Sequence, residues 1–476
     1  MDENSKTASR IDRIGPWVII LGVVGVLIGL AWSSRPSVFS ILCVPEFLAG
    51  FLVYLVQVAF VSVFGGGVGI LFGFLIRRHE WLTNSAARFL RLAMWLPFFV
   101  FWALPIWRTR PSNHAIVDAL TNIVIGASAT VPVVLLGSCY YYLSSRASLE
   151  LQNLSLRAYV AKSVVPLALL LCLFWQLLLE VPWPWAWMNS ELRISASWSA
   201  AILIAVAVVL VNVLSRWSIQ SDAEVRPKML WTELQNSNSR SLIGVVIIGA
   251  SSLVAWQILA PLLKSSFLIE PPFKVGYSIL DLLIFGNSSG IAVKETIWLD
   301  VNVLLFEIIG AIALAGLFAF PLSELIVRYK GSLKFDWIVF AAYVSPATLA
   351  VPMIDFVGIG MLSKVLMICS VVLFPFARAM WTYIAFPLAS RVLLAIDEAL
   401  PYGFVGMVFA EAYAATAGLG FRILVSAASL AIADSIATAL ITFGLLVLVS
   451  STLRFLVKRI SNAKTWETVV PVSTSG

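Results

Sequence analysis

The chain has 476 residues, of which 60% are hydrophobic and 12% charged, with a net charge of +7. A soluble domain carries about a quarter charged residues, so the composition excludes a soluble protein and predicts an all-α, polytopic membrane protein. In such a chain the positive charge is read by loop position, and no RNA- or DNA-binding motif gives it a nucleic-acid partner. Cys43, Cys139, Cys172 and Cys369 lie scattered among apolar residues, and His79 and His114 are the only histidines. No metal site, disulfide framework or cofactor is expected from such a set.

Met1 to Arg13 is polar, with Lys6, Arg10 and Arg13, and Gly15–Trp32 is the first apolar span. It is longer than a signal peptide's core and no small-x-small cleavage site follows it. Phe47–Ile76 is the second. Gly65, Gly66, Gly67, Gly69 and Gly73 sit inside it, and the absence of a following Lys makes them a close-packing surface and not a phosphate loop. Arg88–Trp107 is the third span, with Pro97 and Pro105, and Ile116–Leu143 holds the fourth. Ser144–Ser163 is polar and basic, a cytoplasmic segment. Val164–Pro182 and Trp198–Leu214 are the fifth and sixth, joined across Trp183, Trp185 and Trp187, which suit a headgroup layer.

The longest polar stretch, within 218–240, reads as a cytoplasmic linker between a first half, 1–217, and a second half, 241–476. Leu242–Leu263 is the seventh span, and Lys264–Asp300 reads as a mixed outer loop with Pro271, Pro272 and Gly286 as turn signals. Val303–Val327, Trp337–Phe356, Val365–Phe386, Val392–Phe409 and Val425–Val449 complete the set. The total is about twelve spans of about 20 residues. Basic residues gather in the loops that this places inside, with both termini cytoplasmic. Two halves of equal, even span number would be parallel repeats about the membrane normal.

A charge inside a span costs about 2.5–3.5 kcal/mol. Glu46, Asp118, Glu307, Asp355, Arg378, Asp397, Glu398 and Asp434 are such charges and should face partners, interfaces or a cavity. Ala410–Gly420, with Glu411 at the edge of an apolar run and Gly418 and Gly420 around Leu419, reads as a helix end, a tight turn and a new helix. No G-x-x-x-x-G-K-[ST] loop occurs, so ATP hydrolysis would need a separate subunit. Leu149, Leu151, Leu154 and Leu156 make a short, partly amphipathic cytoplasmic segment able to seat in a partner's groove.

The "aE…GLG" pattern of Glu411, Gly418, Leu419 and Gly420 is followed by Asp434, Arg454, Lys458, Arg459 and Trp466. Upstream lie Ser345, Pro346, Ala347 and Pro352, then Phe356, Gly358, Gly360, Ser363 and Lys364. Together they resemble the permeases of nitrate, taurine and alkanesulfonate ABC importers, over roughly Val301–Trp466. The segment Glu150, Leu151, Asn153, Leu154 and Ser155 is similar to that family's ATPase-coupling loop. The resemblance implies a type I importer fold with two permease halves fused in one chain, in a bacterial cytoplasmic membrane. It implies cytoplasmic ABC ATPase subunits, two copies in the symmetric case, and an outer substrate-binding protein as partners beside a small solute and lipid. The translocation path would then draw on Ser345, Pro346, Pro352, Arg378, Arg391, Glu411, Gly418, Leu419 and Gly420, with the two arginines suited to an anion. The second half departs from the pattern, because Pro375 and Pro387 stand too close for a coupling loop between them. A twelve-span, ion-coupled secondary transporter is the rival reading, with Asp355, Asp397 and Glu398 as its candidate ion sites.

Overall fold

The computed structural model describes residues 55–77, 80–103, 130–140, 142–143, 239–262, 270–286, 296–328, 357–358, 360–384, 386–414 and 417–460. Among them there are helices and turns and no strand. The helices are α1 (Leu55–Ile76), α2 (Glu80–Ala93), α3 (Leu96–Trp102), α4 (Thr130–Tyr140), α5 (Ser239–Leu262) and α6 (Pro272–Phe285). They continue with α7 (Ile297–Arg328), α8 (Met361–Thr382), α9 (Leu388–Ala414), α10 (Leu419–Ala428) and α11 (Ile432–Ile460). Among the described residues three stretches are long and apolar enough to cross a membrane: Leu55–Ile76, Ile297–Pro321 and Ile432–Ile460. The expected spans at 15–32, 164–182, 198–214 and 337–356 lie outside the described residues, as does most of the linker.

The glycines of α1 pack a helix. A Cβ on Gly65 would meet the Val131 carbonyl and the Val134 side chain at 3.1 Å, and one on Gly73 would meet Tyr142 at 2.8 Å. Gly69 abuts the Leu135 carbonyl and Ser138. This three-glycine stripe at four-residue spacing lets α1 lie directly on α4. Residues 62–66 of α1 wind as one wider π turn.

Three expected boundaries move. The third span is two helices, because α2 starts at Glu80 and the chain breaks before α3. Pro97 stands in the first turn of α3, where a helix tolerates a residue that brings no N–H of its own. The loop expected over Lys264–Asp300 contains α6. Pro271 is its extended N-cap, Pro272 its first residue, and Gly286 ends it at φ 77°. The same residues that punctuate a loop act here as helix start and stop signals. The last apolar stretch is also split. Leu430 takes φ 62° between α10 and α11, and the Ser429 hydroxyl donates back to the Val425 and Ser426 carbonyls at 2.9 and 3.1 Å. At 10 residues α10 reaches about 15 Å, half the ~30 Å of a hydrocarbon core.

One continuous core runs through α3 and α6 to α11, built on Phe98, Phe99, Leu304, Ile368, Phe404 and Ile436 among others. The outer faces of α1, α5, α6 and α7 expose large apolar side chains, such as Phe72, Val254, Tyr277 and Phe318. That distribution suits a lipid surround. The N-terminal helices join the C-terminal ones directly: the Ser435 hydroxyl donates to the Ala103 carbonyl at 2.9 Å.

Candidate functional site

Two groups of buried charges stand along α9, one in its N-terminal half and one near its C-terminal end. Asp397 belongs to one and Glu411 to the other, and their separation of fourteen residues along the helix is about 21 Å.

The Glu411 group is built by the turn into α10. Glu411 is fully buried near the end of α9. Its Oε2 accepts the Gly420 N–H at 2.5 Å. That N–H group belongs to the first turn of α10, so Glu411 caps a helix that is not its own. The close approach explains both glycines. Gly418 takes φ 124° and ψ 165°, and a Cβ on it would overlap the Glu411 carboxylate. A Cβ on Gly420 would lie 2.9 Å from Glu411 Oε2 and from Val408 Cα. Leu419 between them is buried.

Helix α7 adds two acids on this side. Asp300, in its first turn, accepts the Gly418 N–H at 2.8 Å and Arg422 Nε at 2.6 Å. Arg422 is fully buried and Asp300 is 1% exposed. Glu307 accepts Lys364 Nζ of α8 at 2.9 Å. The Glu307 and Glu411 carboxyl groups lie within hydrogen-bonding range of each other, with Lys364 acting on both. Lys364 is positioned by the start of α8, where the Ser363 hydroxyl donates to the Gly360 carbonyl at 2.8 Å and accepts the Gly360 N–H at 3.2 Å. Four helices thus meet in one dry network of charge-assisted bonds, each stronger than its neutral counterpart.

The Asp397 group ties α2 and α11 to α9. Asp397 is 4% exposed. One oxygen accepts Arg454 Nε at 2.6 Å and Arg91 at 3.3 Å, and the other accepts the Ser450 hydroxyl. On the next residue, Glu398 accepts the Tyr383 hydroxyl at 2.6 Å. The expectation that intramembrane charges find partners therefore holds for Glu307, Asp397 and Glu398.

The structure brings Glu411, Gly418, Leu419 and Gly420 together but not Arg391, which is buried in the first turn of α9, twenty residues from Glu411. Arg378 lies on α8, and its side chain is outside the described residues. Ser345, Pro346 and Pro352, and the whole segment of Glu150, Leu151, Asn153, Leu154 and Ser155, also fall outside them. Asp300 and its partner Arg422 are residues that sequence reasoning missed, and Asp300 falls at the end of an expected loop. Its position three residues into the apolar run at Ile297 was the available signal. Among the described residues no group of His, Cys, Asp and Glu is arranged to hold a metal ion. No family model, curated protein or solved structure matches the chain.

Proposed function

We propose that the chain is the membrane-spanning permease subunit of an ATP-driven importer of the nitrate, taurine and alkanesulfonate type, with two permease halves fused. One observation carries this reading. The resemblance rests on separate segments, and two of them, Ser363–Lys364 and Glu411 with Gly418 and Gly420, converge on a single carboxylate. Residues that are only a pattern in sequence are therefore a built unit in space. Lys458 and Arg459 close α11, and under the positive-inside rule that end would be cytoplasmic. The Glu411 network would then lie toward the outer face, where solute is delivered, and the Asp397 network toward the ATPase. Transport would proceed by exchange between two packings of the helices, with no covalent step in this chain. The solute is small, and Arg378 and Arg391 suit an anion. The partners are the cytoplasmic ATPase subunits, bound through Glu150, Leu151, Asn153, Leu154 and Ser155, and an outer binding protein.

The test is the double substitution Leu151→Glu and Leu154→Glu. It should release a co-purifying ATPase while leaving the unfolding temperature of the chain unchanged. Full retention of the ATPase would refute the coupling segment. The ion-coupled transporter remains the second reading, favoured by the buried acid at Asp397. Uptake driven by a proton or sodium gradient without ATP would establish it.

A further inference from the structure

The Glu411 network contains three carboxyl groups, Asp300, Glu307 and Glu411, and two cations, Lys364 and Arg422. Fully ionised, it would crowd three carboxylates into a region closed to water. All five groups are under a tenth exposed. The two carboxyl oxygens in it that lack a donor are Glu307 Oε2 and Glu411 Oε1. They belong to the two acids that lie within hydrogen-bonding range of each other. Two carboxylates cannot hydrogen-bond, because both only accept, whereas a carboxylic acid beside a carboxylate can.

We propose that Glu307 and Glu411 form a proton-binding pair that holds one proton between them. That proton supplies the missing donor and removes the repulsion between the two carboxylates. It lets each acid keep its other task, with Glu307 receiving Lys364 and Glu411 capping α10. A hard metal cation would fit less well, since such ions take several oxygen ligands and these two oxygens are the ones left over. Among the described residues, the charged groups facing the pair are Lys364 from α8, Asp300 from α7 and Arg422 from α10. On α11, which packs against α10, the charge at this end is Asp434, which is partly exposed. The inference rests on the packing around Glu411 and not on the importer reading, so an ATPase partner neither supports nor weakens it.

The full chain in lipid nanodiscs gives the test by infrared spectroscopy and thermal unfolding. The wild type should show the carbonyl band of a buried protonated carboxyl group at neutral pH, with its frequency lowered in D2O. Glu307→Gln and Glu411→Gln should each abolish that band, and Glu398→Gln should keep it. Glutamine copies the shape and donor of the protonated acid. Each single variant should therefore unfold within a degree or so of the wild type, while the double variant, which leaves Lys364 without a carboxylate from either acid, should unfold clearly lower. Absence of the band in the folded wild type, or its survival in the double variant, overturns the proposal. A marked rise of the unfolding temperature in a single variant also overturns it, because it would mean that both acids are ionised. So does a marked fall, because it would mean that the full charge is needed there.

Discussion

Replacing Gly418 by Ala tests whether the Glu411 turn is built as described. Gly418 lies at φ 124° and ψ 165°, a region open in practice to glycine alone, and a side chain there costs about 1–3 kcal/mol in backbone strain. The added carbon would also occupy the Glu411 carboxylate's place. Displacing that carboxylate removes the cap of α10, a further loss of about 0.5–2 kcal/mol. The sum is roughly 2–5 kcal/mol, a large share of a marginal stability. Gly420→Ala meets Val408 Cα and Glu411 Oε2 at 2.9 Å without the backbone strain, and should cost about 1–3 kcal/mol. At Gly444, within α11, an added Cβ would meet nothing within 4 Å, so Gly444→Ala should be neutral or gain about 0.5–1 kcal/mol. Thermal unfolding of the purified chain, followed by tryptophan fluorescence, should rank the variants in that order. The companion variant Glu411→Ala removes the overlap partner, so Gly418→Ala should cost less in its background, by a coupling of about 0.5–3 kcal/mol. Equal unfolding temperatures for Gly418→Ala and Gly444→Ala would refute the geometry.

Asp397→Ala leaves Arg91 and Arg454 facing each other without their shared acid; a loss of about 3–5 kcal/mol is expected by unfolding. Arg91→Ala, which leaves Arg454 in place, should cost clearly less than Asp397→Ala in the same assay. Gly69→Val should push α1 off α4, because the Leu135 carbonyl and Ser138 abut that position, whereas Gly67→Val meets open space. Disulfide trapping between cysteines introduced on α1 and α4 should therefore fail only with Gly69→Val. Tyr383→Phe removes the 2.6 Å bond to Glu398 and should lower stability by about 1.5–3 kcal/mol; an unchanged unfolding temperature would show that bond to be dispensable.

Period and punctuation carried much of the fold into the sequence. Gly65, Gly69 and Gly73 of α1 fall on one helical face, so close packing followed from their spacing, although the partner helix did not. The turn at Gly418 was legible from its glycines, but its cause was not. Both glycines are there because Glu411 comes back onto the next helix, a contact that chain order does not display. Pro271, Pro272 and Gly286 misled, because the residues that punctuate loops are also those that start and stop helices. Glu307 and Asp397 were visible as charges too costly to leave alone in a span. Their partners, Lys364 in one case and Arg91 and Arg454 in the other, come from distant helices and become evident only in the packing. Asp300 was lost with the boundary of α7, since a residue assigned to a loop draws no attention as a buried acid.

The most direct test of the permease reading is native mass spectrometry of the full chain, extracted from its own membrane in mild detergent. The reading predicts a complex holding an ABC ATPase, with two copies if the shortened second half still docks one and a single copy if only the Leu151 segment does. A folded chain that carries no ATPase in any preparation would contradict it and turn attention to ion coupling at Asp397.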